Sequence, residues 1–398
     1  MAGIVKVNPI IQSIANTTVG SEVKQTISDL KEIDTYLTEI SKANSSMSKS
    51  ELSRIGDNSF EVASKYGKTV TDYLAGIQEM SRAGYENADR MAELSAAIQG
   101  AGSITAELAN KYLIATDRAF QMNGSIKTLT QTLDGATNIT NKNTVNMADL
   151  AEGISVVGSQ AASSQMEINE VTAAIGTLIA VTHESGSEMG NAFKGILMNL
   201  QQVTGDVDGA EIDEESLAKY KDACTQLGVS LSEVKDGAVS LKEPMQILKE
   251  LSEEYIKLGE SDSRRTDLLS AVGGNDRGEA LNALLENYNL YEKMLQDYAN
   301  GNGSIAKEAE KTANSWEGSM NRLSNTWTNT VGNIANSAGV VQGVNALNGL
   351  LGVVNDITNA LGPLKSIALG AGLFAGIKNV GRDKMYSLSS VYLNMPTI

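Results

Sequence analysis

The chain has 398 residues, of which 5% are aromatic, four are Pro and 37 are Gly. This length can bury the cores of two or three domains, and the composition favours helices with few aromatic cores. The formal net charge of −16 excludes a protein that coats nucleic acid, because neutralising phosphates needs clustered Lys and Arg. A single Cys and a single His exclude a disulfide framework and a His/Cys zinc site within one chain.

The first half of the chain repeats apolar residues three or four apart, the spacing that places them on one face of a helix. Residues 1–20 lack the basic region and sustained apolar core of a secretory signal, so export by the general route is not expected. Residues 66–80 form one apolar stripe, which Tyr66-Gly67-Lys68 is expected to divide between two helices. Further stripes occupy residues 147–161, 168–178 and 189–203.

The last two of these stripes predict a helical hairpin. Ser185 and Glu188 are spaced as a capping box at the start of its second helix. His183 lies at the end of its first helix, where a histidine more often caps or is solvated than acts as a catalytic base. The apolar face of the second helix is predicted to pack through Phe193, Leu197 and Leu200.

Two segments after this hairpin contain residue types that can carry chemistry. The acidic residues 206–213 suggest calcium, but Gly209 stands at the fourth place instead of the sixth and no Glu closes the set. Capping of the next helix explains the acidic residues 213–215 better. Cys224 has the position of a small buried residue on a helix that ends at Gly228, which predicts a structural thiol.

One short stretch departs from helical spacing. Around Asp236-Gly237, a dipeptide typical of two-residue β-turns, polar residues alternate with Val229, Leu231, Val239 and Leu241. We therefore expect a small β-hairpin near residues 229–241. Pro244 suits the first turn of the next helix, whose predicted buried face comprises Ile247, Leu248, Leu251, Tyr255 and Leu258.

The glycine-rich stretch AVGGNDRGEALNALL, residues 271–285, looks like a phosphate-binding loop that leads into a helix. Such a loop needs a Lys and a hydroxyl residue directly after its last glycine, whereas Glu279 and Ala280 follow Gly278. A Glu at that place repels a polyphosphate, and no strand-like run precedes the loop. We interpret the stretch as a helix break, restarted by Asn275, and expect no nucleotide cofactor.

Two long runs of three-four spacing follow, at residues 281–298 and 305–334. Sustained spacing of this kind predicts long continuous helices wrapped around one another as coiled coils. As a free monomer, the chain could instead fold these helices back on one another as a bundle. The predicted contacts with sister copies lie on these two runs and include Leu281, Leu284, Tyr288, Leu295, Trp316, Leu323 and Trp327.

The C-terminal segment is rich in glycine and apolar residues. Its stripe at residues 340–361 ends at Gly362-Pro363, because proline cannot continue a helix. The most apolar stretch, residues 366–377, is too short to span a bilayer by itself. The alternative function is therefore a helical effector or pore-forming protein that inserts residues 339–377 into a membrane.

Four stretches, taken in order, resemble the core region of phage tail tape measure proteins. They are residues 66–102, 173–203, 228–258 and a last stretch that runs from residue 271 to residue 327. The resemblance covers roughly residues 60–335 and depends on the order of the stretches more than on any single motif. It is strongest in the second stretch, through Gly190, Asn191, Phe193, Lys194, Leu197, Leu200 and Gln201.

The resemblance implies a protein of the virion, made in the host cytoplasm, whose copies occupy the lumen of the growing tail tube. They would set its length and leave ahead of the DNA. Implied partners are sister copies, the tail tube protein, tail assembly chaperones, distal tail or baseplate proteins and, as a further contact, the host membrane. A ruler needs no active site, so no enzyme, catalytic residue, cofactor or metal is expected. Such proteins commonly carry further long segments, so the chain fits a fragment or a prophage remnant.

The expected fold class is all-α, an extended multi-helix bundle with coiled coils and one small β-hairpin. Four segments are expected in chain order. They are an N-terminal helical segment at 1–59, a helical core at 60–205, the hairpin with a long helix pair at 206–335, and glycine-rich apolar helices at 336–398.

Overall fold

The computed structural model describes residues 21–45, 47–201, 214–235 and 238–336. The predictions on the acidic residues 206–213 and on the apolar segment 339–377 lie outside these ranges. Within them the fold is all-α, as expected, with sixteen α-helices and one two-stranded sheet.

The helices of the described residues are mostly short, and the longest has 23 residues. Their bounds are α1 Ser21–Ala43, α2 Lys49–Lys65, α3 Val70–Arg82, α4 Ala88–Gly102, α5 Ala106–Ala119, α6 Ile126–Lys142, α7 Met147–Ser163, α8 Ile168–Thr182, α9 Gly186–Gln201, α10 Glu214–Gln226, α11 Pro244–Tyr255, α12 Ser263–Leu268, α13 Gly274–Glu286, α14 Tyr288–Ala299, α15 Ser304–Ala313 and α16 Trp316–Asn336. A single π-helical turn, Leu269–Gly273, joins α12 to α13.

Two predicted helix boundaries are confirmed. The break at Tyr66-Gly67-Lys68 separates α2 from α3, and Gly67 takes the left-handed conformation there with φ +65°. The capping box forms at the start of α9, where the Ser185 N–H donates to the Glu188 carboxylate at 3.2 Å. The Glu188 N–H donates in return to Ser185 Oγ at 3.3 Å. The start of α9 therefore follows from the local sequence.

The prediction of long continuous helices was wrong for both heptad runs. Asn287, at φ −119° and ψ 29°, ends α13 and begins α14. The second run is interrupted between α15 and α16, where Ser315 Oγ accepts the Gly318 N–H at 3.2 Å. Local polar groups satisfy the backbone at such a break, so an apolar period that continues in phase does not require a continuous helix.

The predicted β-hairpin is confirmed in a shorter form. Strand β1 is Ser232–Lys235 and strand β2 is Ala238–Leu241, paired antiparallel with Val234 opposite Val239. Val229 and Leu231 precede the first strand instead of belonging to it. Pro244 occupies the first turn of α11, as predicted.

Contacts within the chain divide it into two units. Unit 1 combines the chain before residue 94 with the chain after residue 309, and unit 2 is Leu94–Ala309. Unit 1 thus joins residues from opposite ends of the sequence.

In unit 1, helices α1, α2, α3 and α16 pack together. The connection between α2 and α3 is held by two asparagines one helical turn apart on α16. Asn325, buried in the bundle, accepts the Val70 N–H at 3.1 Å and donates to the Lys68 carbonyl at 2.7 Å. Asn321 donates to the Gly67 carbonyl at 2.9 Å. These bonds satisfy backbone groups that the helix ends leave open.

In unit 2, α7 lies against α5, α8 and α9, and α14 lies against α6 and α8. The core is mainly aliphatic, as the low aromatic content indicates, although Tyr112, Phe193 and Tyr255 are also buried in it. Its side chains without measurable exposure include Leu129, Leu150, Val157, Ile175, Leu178, Ile196 and Leu197. Small residues on the same helices allow the close approaches described next.

Candidate functional site

In unit 2 the helices α7 and α9 cross in close contact, and the contact depends on three glycines. A Cβ atom at Gly190 would lie 2.7 Å from the carbonyl oxygen of Gly153 on α7. A Cβ atom at Gly186 would overlap the backbone of Asp149, and one at Gly153 would lie 2.9 Å from the Gly186 carbonyl oxygen. Only residues without a side chain allow the two backbones to approach this closely.

Asp149 holds the same crossing through its charge. Its backbone N–H is capped by Asn146 Oδ1 at 2.8 Å in the first turn of α7. Its carboxylate accepts the N–H of Gly186, the first residue of α9, at 3.2 Å. One negative charge therefore lies at the N-terminal ends of two helices, where helix dipoles favour it.

The predicted packing residues of α9 extend from this crossing into the core of unit 2. Phe193 and Leu197 have no measurable exposure, and Leu200 is 1% exposed. Leu281 and Leu284 on α13, which packs against α9, are also completely buried. The structure thus brings together two groups of predicted residues that are about eighty positions apart in the sequence.

The glycine-rich stretch, residues 271–285, packs against α9. Asn199 on α9 donates to the Val272 carbonyl of the π-helical turn at 2.7 Å. Gly274 follows with φ +68°, and α13 begins there, so the predicted break lies at this glycine. The Arg277 side chain lies directly over Gly195 of α9, in the space that a Cβ atom would need. The stretch therefore packs on α9 through the Val272 carbonyl and the Arg277 side chain.

The remaining predicted residues are more accessible. Tyr288 is half-buried, and its hydroxyl donates to the Met245 carbonyl at 2.9 Å. Leu295 and Trp327 are also half-buried, whereas Leu323 is 6% exposed. Trp316, the first residue of α16, is 45% exposed and is the most accessible of the ten predicted packing residues.

Two buried carboxylates bind distant segments and were missed by the sequence analysis. Asp134 on α6 is 4% exposed and accepts the N–H groups of Gly303 at 2.8 Å and Ile305 at 3.0 Å. It therefore caps α15 from another helix. The only signal in the sequence is an Asp on a helix face that is otherwise apolar.

Asp297 on α14 is the second of these carboxylates, with 7% exposure. It accepts hydrogen bonds at 3.2 Å from Lys142, Asn143 and Lys293. Burial raises the pKa of Asp297, but the hydrogen bonds from Asn143, Lys293 and Lys142 outweigh it and hold the pKa below its usual range. The charged form is therefore the one that joins α14 to the end of α6.

Within the described ranges, Cys224 lies on a helix and His183 at a helix end. Cys224 is 1% exposed on α10, and burial raises the pKa of its thiol to about 12, although a hydrogen bond with Tyr220 acts in the opposite direction. The thiol is thus the buried structural group that was predicted. His183 ends α8 in the left-handed conformation, with φ +60°. Among the described residues, no three His, Cys, Asp or Glu are grouped so that they could hold a metal ion.

The described part of the chain thus has an all-α fold with one small β-hairpin, and its helices pack closely through small and aliphatic residues. None of its helices is both long enough and apolar enough to cross a membrane. Residues 57–274 match the family described as phage-related minor tail protein. The match covers more than half of the chain, and the chain belongs to this family. No solved structure matches it.

The family assigns the chain a structural role in phage tails and an association with the virion. The matched region contains the α7–α9 crossing and the first three of the four stretches that resemble tape measure proteins. The fourth stretch lies largely beyond residue 274, outside the matched region.

Proposed function

We propose that this protein is a tape measure protein, which sets the length of the tail tube during assembly. In this proposal several copies occupy the tube lumen and leave it when the genome is ejected. Their partners are one another, the tail tube protein, the tail assembly chaperones and the distal tail or baseplate proteins. Membership of a tail protein family supports the general role. The arrangement of the helices supports the finer role.

The observation that carries the proposal is the apolar spacing across the helix breaks. Buried residues of α13 and α14 keep three-four spacing across Asn287, through Leu284, Tyr291 and Met294 with half-buried Tyr288 between them. The same spacing continues from Ala313 of α15 to α16. If each break closed, each pair would form one helix with one apolar face. A helix adds about 1.5 Å per residue, so residue number then converts to length.

Contacts between copies would differ between the folded and the extended chain. In the folded chain Phe193, Leu197, Leu200, Leu281, Leu284 and Leu323 are buried. Trp316 is the accessible member of the predicted set, with Tyr288, Leu295 and Trp327 partly accessible. We propose that extension transfers the covered stripes from contacts within the chain to contacts between copies, since apolar faces must be buried in either state.

The test is the length of tails assembled with altered chains. Removing α6 and α7 in frame deletes about 40 residues and is expected to shorten the tail by about 60 Å in electron micrographs. Duplicating the same segment is expected to lengthen the tail by the same amount. The matched control replaces the segment with an unrelated helix-forming sequence of equal length, which should restore the original tail. Tails of unchanged length from the duplicated chain would contradict the proposal.

A further inference from the structure

The break between α15 and α16 lies against the turn that joins α2 to α3, residues 66–69. A Cβ atom at Gly67 in this turn would lie 2.8 Å from the Cα atom of Gly318 on α16. It would lie 2.9 Å from the Cα atom of Ala313, the last residue of α15. The backbone of Gly67 therefore contacts both sides of the break, and only a residue without a side chain fits there.

These two contacts exist only because the helix is broken. Both distances are measured from one point, so the Cα atoms of Ala313 and Gly318 lie no farther apart than 2.8 Å and 2.9 Å together. In a straight helix, Cα atoms five positions apart are separated by roughly 9 Å. A continuous helix through residues 313–318 therefore could not hold both atoms this close to Gly67.

Two asparagines of α16 hold the turn in this position. Asn321 donates to the Gly67 carbonyl, and Asn325 bonds the Lys68 carbonyl and the Val70 N–H. Asn325 is 3% exposed, so its bonds to the turn are formed away from water, where hydrogen bonds are electrostatically stronger. The first three turns of α16 thus bind the backbone of the turn from Gly67 to Val70.

The residues at the break do not themselves exclude a helix. Residues 312–318 contain no proline, and their single glycine, Gly318, is tolerated within a helix. The local signal for a break is the Ser315 hydroxyl, which accepts the Gly318 N–H at 3.2 Å. The apolar spacing continues through the break, so the contact with the α2–α3 turn is the stronger reason for the bend.

We propose that the docked α2–α3 turn keeps α15 and α16 apart, and that release of the turn joins residues 304–336 into one helix. Joining pairs the free N–H groups at the start of α16 with the free carbonyls at the end of α15. The element that controls the break therefore lies 254 residues away, at Gly67. This inference deepens the proposed function and rests on it, since it names what must move before one of the breaks closes.

The first test measures the bend in the full chain by pulsed electron paramagnetic resonance. Spin labels are attached at Glu310→Cys and Ser324→Cys, both exposed positions, after the single native cysteine, Cys224, is replaced with Ala. A straight helix separates these positions by about 21 Å, and the bend gives a shorter distance. Gly67→Ala is expected to lengthen the distance to that of the straight helix. A folded Gly67→Ala chain with an unchanged distance would overturn the proposal.

The matched control is Gly84→Ala, at the end of α3. Gly84 has φ +92°, so the substitution strains the backbone as it does at Gly67, where φ is +65°. A Cβ atom at Gly84, however, would meet no atom of the described residues within 4 Å. This variant should keep the short distance. Equal lengthening in both variants would assign the effect to backbone strain and overturn the role of the contact.

A second pair of variants leaves Gly67 in place and separates the docked turn from the local cap. Asn321→Ala removes the bond to the Gly67 carbonyl and is expected to add a population at the longer distance. Ser315→Ala removes the cap of α16 and should leave the short distance unchanged while the turn is docked. The reverse ranking, or no change with Asn321→Ala, would overturn the proposal. These distances are measured in free protein, so their failure is distinguishable from tails of unchanged length.

Discussion

Single buried carboxylates hold helices that are far apart in the sequence. Asp134 accepts a hydrogen bond from Gly303 at the start of α15, 169 residues away in the sequence. Asp297 accepts hydrogen bonds from Lys142 and Asn143, which are about 155 residues away. A buried charge is stable only where donors surround it, and both groups meet that requirement. The Asp297 carboxylate, whose pKa is lowered in the folded chain, therefore stabilises the fold at pH values where it is deprotonated.

Replacing Asp297 with Asn tests this charge. The substitution removes the charged acceptor of the hydrogen bonds from Lys142, Asn143 and Lys293 and is expected to lower the free energy of unfolding by on the order of 1–3 kcal/mol at neutral pH. Glu292→Gln, which removes an exposed pair with Lys249, is the control and should change it by less than about 1 kcal/mol. Chemical denaturation measures both values.

The pH dependence of the same variants gives a second result for Asp297. Because its pKa is lowered in the folded chain, its contribution is complete above the unfolded pKa of about 4 and is lost as pH falls through the folded pKa. Wild type should therefore lose more stability than Asp297→Asn between about pH 6 and about pH 3. An equal loss in the two chains would contradict the assigned role.

Some of the residues that hold the helices together could be predicted from the sequence and others could not, for a physical reason. Phe193, Leu197 and Leu200 were identified because the spacing within one helix reveals its buried face. Asp134, Asp297 and Asn325 were missed because their partners lie on other elements. The residues around them carry no periodic signal of that contact.

At the scale of elements, the α7–α9 crossing is defined by backbone contact. Gly153, Gly186 and Gly190 allow helix axes to approach without intervening side chains. Sequence spacing predicted the two helices and their apolar faces, but it did not identify the glycines as contact points. The sequence around a glycine within a helix does not show whether that glycine contacts another helix or is merely tolerated there.

Gly190→Ala tests the crossing. Its methyl group would lie 2.7 Å from the Gly153 carbonyl oxygen, so the helices must separate, at a cost of about 1–3 kcal/mol. Gly158→Ala on α7 is the matched control, because its methyl would meet Ala119 at an ordinary 3.5 Å. That variant should be neutral or gain up to about 1 kcal/mol from helix propensity. Thermal unfolding that ranks the two variants in the reverse order would exclude the crossing as described.

The helix breaks show the limit of periodicity as a predictor. The runs at 281–298 and 305–334 are in phase throughout, yet each is divided in the structure. Three-four spacing shows which side chains share a helix face. It does not determine the backbone conformation at any single position. The hairpin, by contrast, was predicted from a turn dipeptide, which acts directly on the backbone.

At the scale of the whole molecule, the fluorescence of the accessible Trp316 can show whether the surface around this side chain is covered in the tail. A Trp327→Phe chain has Trp316 as its single tryptophan, and acrylamide is expected to quench its fluorescence readily in the free protein. In purified tails the same residue should be protected, because aromatic residues are favoured anchors of interfaces. Trp316→Phe, which retains Trp327, is the control. Equal quenching in free protein and tails would contradict a contact at Trp316.

Unit 1 is formed by residues from both ends of the chain, and this determines the order in which the two units would unfold under a pulling force. Asn325 and Val70, which are 255 residues apart, are bonded within it, while Leu94–Ala309 forms a unit inserted between them. A pulling force applied at residues 21 and 336 would load the bonds between α16 and the N-terminal helices first. The inserted unit would carry no tension until they rupture, so unfolding under load would proceed in a fixed order.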